Sequence, residues 1–481
     1  MLNAERFSMH NGISGRLRVR ETLSKASAAG LNVVRIWGHT NHEKFPFQSS
    51  PGVYNDLALE GLDFVLNQAR QFGMRVIISF TDNWKYLNGV DQYVDWSETA
   101  PRRTQKIPRN GDGDPPPEPD FPTYESKRHT LFFSDPGARQ LYKNHVRKIL
   151  TRRNHIHGRL YKDDPTIFAW DLVNEPRCRL IDNQNCTVMV HAWIEEMSKY
   201  VKSVDPNHLV TVGAEGFFGG GFQWSDANPG RWAEEVGQQF TKNHAFDSVD
   251  FAAIHSWPDN WNRQENFPPI IWNFQEDWIK VHSVISKEIL GKPLLLEEFG
   301  KKLPDRLSDS KTAIANYRDP SYEETLGIVR ESIQTDLGIA GALFWRLSLD
   351  TYANKRQGRY AIKMTDSTFS HIKKFSAAVQ SAIHSQPPRR SCKKSQCWVP
   401  HVEGDMQFCV QDTDACELYW HVENGEKEFA NMTLSEVDVP IWGEEVPLSE
   451  LKFYTSWSDC CRKGMGAFEK GCTLDYGFAG W

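Results

Sequence analysis

No run of about 18 apolar residues occurs in the 481 residues, so no segment is long and apolar enough to cross a membrane as a helix. No block of lysine and arginine stands out. Acidic residues outnumber basic ones, 62 against 56, for a formal net charge of −6, and this balance gives no footprint for nucleic acid or an anionic membrane. The opening MLNAERFSMHNGISGRLRVRE lacks the apolar core of a secretory signal. No His/Cys/Asp cluster has metal-ligand spacing and no glycine-rich loop suits a phosphate, so neither a metal nor another cofactor is expected. Cysteine is scarce until late in the chain, where seven of the nine (Cys392, Cys397, Cys409, Cys416, Cys460, Cys461, Cys472) crowd into the final stretch. That density is expected of a disulfide-stapled module in an oxidising compartment. The sequons at Asn185 and Asn431 agree with export. Tryptophan is abundant, with 17 residues, and indole faces stack well on sugar rings.

From about residue 17 to 385, short apolar runs alternate with amphipathic helical stretches, which predicts a parallel sheet covered by helices. The strand candidates are Leu31–Gly38, Met74–Asp82, Ile167–Glu175, Leu209–Gly216, Asp250–Trp257, Pro293–Gly300 and Gly341–Ser348. Helical patterns cover Arg18–Ala29, Glu60–Phe72, Ala138–Arg153, Val188–Val204, Phe274–Leu290, Tyr322–Asp336 and Ser370–Ile383. Seven strands and a closing helix fall one strand short of a TIM (β/α)8 barrel. The first strand and a signal segment are both expected upstream of Met1. Ser97–Tyr124, with its PPPEPDFP core, reads as a long loop. Domain boundaries follow: 1–385 as the catalytic barrel, 386–391 as a linker, and 392–481 as a small cysteine-rich domain.

In a parallel barrel, ligand-handling residues sit at the C-terminal ends of strands. Two of the predicted ends carry glutamate: Asn174-Glu175-Pro176-Arg177, and Glu297-Glu298-Phe299-Gly300. A pair of carboxylates across a barrel mouth is what retaining glycoside hydrolysis requires, one to protonate the leaving oxygen and one to attack the anomeric carbon. Alternation places Leu294, Leu296 and Glu298 on one strand face, so only one of Glu297 and Glu298 is expected to point inward with the leucines.

Several motifs in order, VVRIW (33–37), PGVY (51–54), GLDFVL (61–66), DNW (82–84), KDDPTIFAWDLVNEPRC (162–178), DPNH (205–208), IHSWPDNW (254–261) and GKPLLLEEFG (291–300), make the chain similar to glycoside hydrolase family 5, in its endo-β-1,4-mannanase branch. The resemblance covers roughly residues 17–385. It implies that Glu175 is the general acid/base, with a pKa raised by burial and a neighbouring carboxylate, and that Glu298, directly before aromatic-glycine, is the nucleophile. It implies that Asn174 bonds the sugar 2-hydroxyl, that Arg35 holds the nucleophile ionised, and that Arg177 lies on the leaving-group side. By the same match His255 stands beside the acid/base, Trp345 underlies the reacting sugar, and Trp84 stacks on the glycone side. Trp257 departs from the family, which mostly carries a tyrosine there. Cys178 and Cys186, close in sequence after the acid/base strand, are expected to form a local disulfide.

The expected function is retaining endo-hydrolysis of β-1,4-mannosidic linkages in mannan, glucomannan or galactomannan by a secreted monomer, with mannan as its only expected partner. The rivals are a family-5 endo-β-1,4-glucanase and a non-catalytic polysaccharide-binding protein. The aromatics Trp398, Tyr419, Trp420, Trp442, Trp457 and Trp481 form either the stapled core of the last domain or a polysaccharide-binding face. The core reading is favoured, since binding needs the rings aligned.

Overall fold

The computed structural model describes residues 12–39, 46–84, 89–104, 121–178, 186–261, 268–303, 310–348 and 359–385, with strand segments at 398–403, 406–411, 438–441 and 444–447. The chain divides into two compact units, 1–283 with 293–380 and 284–292 with 381–481.

Among the described residues, the main sheets of the first unit hold seven parallel strands: β1 (Val33–Trp37), β2 (Arg75–Ser79), β3 (Ile167–Asp171), β4 (Leu209–Thr211), β5 (Ala252–Ser256), β6 (Leu294–Phe299) and β7 (Ile339–Phe344). They pair in chain order as two arcs, β1 to β4 and β5 to β7. The arcs are joined where Asp250 N donates to the Val210 carbonyl at 2.8 Å and His255 N to the Glu215 carbonyl at 3.1 Å. Each strand coincides with a sequence candidate. The candidates overrun at their C-terminal ends, because the apolar pattern continues into irregular backbone that stays hydrogen-bonded: Leu172 N to the Thr211 carbonyl at 3.1 Å, Asn174 N to the Thr81 carbonyl at 3.0 Å.

Inside the sheet, Ile77, Ala169 and Phe251 pack with Val33, Leu209, Leu295 and Leu343, one residue from each strand or its leading end. Side chains alternate between faces along a strand. Two residues further on, the same alternation gives Arg35, Ser79, Asp171, Thr211, Ala253, Glu297 and Trp345, so a largely polar layer sits directly on the apolar one.

The helices follow from caps and periodicity. Helix α1 spans Gly12–Ala28. Helix α2 (Asp56–Gln71) starts at Asn55, whose side chain accepts from Ala58 N, and buries Leu59, Leu62, Val65, Leu66 and Ala69 on one face. Helices α3 (Val90–Trp96) and α4 (Phe121–Ser134) come next. Helix α4 begins inside the stretch expected to be loop up to Tyr124. Pro122 does not prevent this, since a first-turn N–H has no helical partner to lose. Residues 115–120 of the PPPEPDFP core lie outside the described residues, and its last two, Phe121 and Pro122, open α4. Helix α5 (Pro136–Leu150) is capped by Asp135 and opens with proline. Helices α6 (Cys186–Val204), α7 (Pro268–Val284), α8 (Asp319–Gln334) and α9 (Ser367–Ser385) complete the layer. An aromatic core of Phe80, Trp170, Tyr142, Phe132 and Trp193 lies between sheet and helices. In it the Tyr142 hydroxyl donates to the Leu172 carbonyl at 2.7 Å.

In the second unit the described strands form two antiparallel hairpins, Trp398–Glu403 with Met406–Gln411 and Asp438–Ile441 with Glu444–Pro447. The expected linker, cysteine pairing and aromatic cluster fall on side chains outside the described residues.

Candidate active site

After β3 the backbone turns sharply. Glu175 has φ +53°, a left-handed conformation uncommon for a side-chain-bearing residue and characteristic of strained functional positions. Its N–H donates to the Gly213 carbonyl at 2.8 Å. Gly213 lies at φ +77°, and a Cβ there would stand 2.1 Å from Asp171 Oδ1 and 2.5 Å from the Val173 carbonyl. Only glycine lets the loop after β4 come this close.

Strand β6 delivers the second carboxylate, and here the alternation argument needs correction. Leu295, not Leu294 or Leu296, packs into the barrel interior. Strict alternation from Leu295 would aim Glu297 inward and Glu298 away. The register slips between Ile254↔Leu296 and His255↔Glu298, so a bulge falls at Glu297 and changes the parity. Both glutamates thereby reach the same guanidinium. Arg35 Nη1 donates to Glu298 Oε1 at 2.6 Å, and its Nε lies 3.2 Å from Glu297 Oε1. Arg35 Nε also donates to Asp171 Oδ2 at 3.1 Å and Nη2 to Asn174 Oδ1 at 3.0 Å. Asn174 is fixed from the other side by Nδ2 donating to Asp82 Oδ1 at 3.0 Å.

His255 ties the two halves together. Its Nδ1 is 2.8 Å from Glu175 Oε1 and 3.8 Å from Glu298 Oε2, and its Nε2 is 3.5 Å from Glu297 Oε2. One carboxylate oxygen from each of Glu175 and Glu298 and one His255 nitrogen lie within 4.8 Å of one another. A cation could take such donors, but here Nδ1 is already committed to Glu175 and Arg35 to Glu298.

Burial alone would lower the His255 pKa, but the facing carboxylates Glu298, Glu175 and Glu297 push it up to about 10. Burial raises Glu298, and His255 and the shared Arg35 do not fully offset it, so its carboxyl lies above its ordinary range. For Glu175 the expectation of a raised pKa is overturned. Burial does raise it, but the His255 hydrogen bond and charge, the Arg177 charge and the Trp84 N–H together hold the carboxyl below its usual range. Burial, with the neighbouring Glu297 charge, likewise lifts Asp171 to about 6 against the opposing pull of Arg35.

Beside Glu175 lies an open cleft of about 480 Å3, lined by Trp84, Glu175, Arg177, Glu215, Trp232, Trp257, Asn260 and Trp261. Arg177 donates from Nε to Glu215 Oε2 at 2.7 Å, and its guanidinium lies 5.1–5.3 Å from the ring centres of Trp84, Phe217 and Trp232. Trp84 Nε1 donates to Glu175 Oε2. Trp84 and Arg177 therefore belong to one wall. Trp257 meets Tyr360 edge-on at 5.1 Å, and the Tyr360 hydroxyl donates to Asn260 Oδ1 at 2.7 Å. Among the described residues Glu298 accepts its only hydrogen bond from Arg35. Trp345 follows β7 with its N–H on the Phe299 carbonyl at 2.8 Å. It approaches Trp257 at Gly300, where a Cβ would stand 2.6 Å from the Trp345 carbonyl and 2.9 Å from the Trp257 ring. The Trp345 ring does not line the cleft beside Glu175. The expected disulfide Cys178–Cys186 is present.

The structure thus brings together Arg35, Trp84, Asn174, Glu175, Arg177, His255 and Glu298, with Trp257 lining the same cleft. Asp171, Glu215, Trp232 and Trp261 also stand at the site without a sequence expectation, and Glu297, expected only as the rival of Glu298, joins it on Arg35. Asp171 and Glu215 stand at or just beyond strand ends, so the strand-end rule could have found them. Trp232 comes from a 3-10 turn with no such signal.

A profile of GH family 5 beta-mannosidase-like proteins matches residues 3–384. The chain belongs to that family. Its curated relatives include a mannan endo-1,4-beta-mannosidase 1 of Arabidopsis thaliana, 35% identical over 336 residues, 69% of this chain and 73% of that one. A mannan endo-1,4-beta-mannosidase 5 of Solanum lycopersicum is 35% identical over 384 residues, 77% of this chain and 82% of that one. Among solved structures, the endo-beta-1,4-mannanase from Thermotoga petrophila is 26% identical at a TM-score of 0.58, covering 79% of this chain and 76% of that one. The glycoside hydrolase family 5 mannosidase from Rhizomucor miehei, 21% identical, has a TM-score of 0.64 over 80% of this chain and 93% of that one, a likeness of fold.

Proposed function

We propose that the chain is an endo-β-1,4-mannanase that cleaves mannan with retention of configuration, with Glu298 as nucleophile and Glu175 as acid/base. The observation that carries this reading is the closeness of the pair: reacting oxygens within 4.8 Å of each other and of His255. Retaining enzymes hold their carboxyl groups about 5–5.5 Å apart, whereas inverting ones leave about 6.5–9.5 Å for a water.

In the free enzyme the proton of the cluster sits on His255, because Glu175 is held ionised. Passing that proton from Nδ1 to Glu175 Oε1 over 2.8 Å arms the acid and leaves a neutral imidazole. Glu298 then attacks the anomeric carbon as Glu175 protonates the departing oxygen. Arg35 and Asn174 hold Glu298 and the sugar 2-hydroxyl in register. In the second half, Glu175 takes a proton from the water that releases the sugar. The aromatic wall supports a polymer lying across the open cleft, the arrangement suited to cutting within a chain.

The Cys178–Cys186 bond at the site favours an oxidising, extracellular setting. We assign the residues from 392 onward to a separate cysteine-rich module. The test is reducing-sugar release from β-1,4-mannan against carboxymethylcellulose, with product anomers followed by NMR. Mannan-selective release with the β-anomer appearing first, reduced by roughly 10⁴-fold in Glu298→Ala, is expected. Binding of mannan without turnover in both proteins would make the chain a binding protein instead.

A further inference from the structure

Helix α4 belongs to the long connection that follows β2, and one of its side chains reaches the back of the cleft. His129 Nε2 is 2.8 Å from Asn83 Oδ1 and 3.0 Å from the Arg177 carbonyl, and Nδ1 is 3.2 Å from Asp91 Oδ2 on α3. Asn83 Oδ1 already accepts from the Arg177 N–H at 3.1 Å. Both groups facing Nε2 are therefore acceptors, and Nε2 donates to them. The ring closes a triangle between the turn that carries Trp84 and the backbone that carries Arg177. Its side chain is 14% exposed, and the helix under it is firmly mounted. Arg128 Nη2 donates to Asp95 Oδ1 at 2.8 Å, and Arg103 Nε donates to the same oxygen at 3.0 Å while its Nη1 bonds Glu125.

We propose that His129 is a positioning residue for the wall of the cleft formed by Trp84 and Arg177. It touches neither the reacting carboxylates nor the cleft surface, but it fixes the two neighbours of Glu175 that do. Trp84 donates to Glu175 Oε2, and Arg177 stacks on Trp84. Releasing the triangle lets the Asn83–Trp84 turn and Arg177 move apart. The sugar platform suffers first, and the acid/base loses its alignment second.

The kinetic part of this inference rests on the mannanase reading. The test uses the full chain with His129→Phe, which keeps a ring and removes the donor, and His129→Gln, which returns an N–H to the same acceptors. In His129→Phe, KM for β-1,4-mannopentaose is expected to rise about tenfold while kcat falls no more than about threefold. His129→Gln should recover most of the KM loss. Amide exchange at Arg177, whose N–H closes the triangle, should quicken about tenfold in the Phe variant. A KM that stays put, or a loss that Gln does not rescue, would overturn the role. If the wild type does not cut mannan, the mannanase reading fails and the exchange measurement alone decides: faster exchange supports positioning, and unchanged exchange removes it.

Discussion

A buried imidazole within bonding distance of one carboxylate and 3.8 Å of another keeps its proton because losing it would leave the acids uncompensated. The folded His255 holds that proton up to about 10, against about 6.5 in an unfolded chain. A group whose folded pKa is raised contributes fully below its unfolded value, and the contribution fades as pH climbs to the folded one. His255→Gln should therefore melt at least about 3 °C below wild type near pH 6.5, with the gap closing toward pH 10. Melting curves taken across that range check it, and a gap that stays constant would mean the ring is neutral in the fold. The residues of this cluster were legible to very different degrees. Glu175, Asn174, Arg177, His255 and Glu298 lie in strand-end motifs, and Arg35 sits inside the first one, so one rule plus a resemblance placed them. The protonation pattern was not legible, because it depends on donors from three separate segments converging on Glu175. His129 gave no signal either, since its meaning lies in a tertiary contact between a helix and two loops.

Strands β3 and β6 show why placing a carboxylate takes more than alternation. On β6 a bulge at Glu297 brings Glu298 to the same side as Glu297, so Glu298 reaches the cleft by a route the pattern does not encode. On β3 the chain leaves the ladder, and Glu175 is aimed by its left-handed backbone and by the Gly213 carbonyl it bonds. Gly213→Ala drives a Cβ into Asp171 and Val173 and cannot be relieved by a rotamer. It should cost more than about 3 kcal/mol of stability. It should also lower kcat/KM by about a hundredfold through misplacement of the acid/base. Urea unfolding and steady-state kinetics measure both, and a variant within about 0.5 kcal/mol of wild type would show that the loop after β4 does not support Glu175. Elements far from the chemistry were the easiest to read. Helices α2 and α5 announce themselves by an Asn or Asp cap and a continuous apolar stripe, whereas the start of α4 was hidden by a proline that suits a first turn.

Across the whole barrel, coverage is uneven in a way that follows from strand order. Strand β5 is buried along its length and β6 nearly so, while most of β7 and the first half of β1 are partly exposed. Strands β1 and β7 are the ends of the two arcs. On the helical side of that region, Ser376 Oγ and Gln380 Nε2 of α9 donate to the Gly30 carbonyl just beyond α1, at 2.5 and 3.0 Å. The sequence foretold the seven strands and the closing helix, since buried parallel strands read as continuous apolar runs. It could not foretell where the cover is thin, because that depends on which strands end as neighbours. Local opening should begin where the fewest apolar contacts must break. Native-state amide exchange is therefore expected to show β7 protected by an opening free energy at least about 2 kcal/mol lower than β5, with Gly30→Val, which clashes with Ser376 Oγ, lowering protection in α1 and α9 before β5. Equal protection of β5 and β7 would mean that the barrel opens only as one cooperative unit. The active site straddles this division: Arg35 on β1 bonds Glu298 on β6. A ligand that bridges the pair should slow exchange in β1 more than in β5, which ties the stability of the weaker edge to occupation of the cleft.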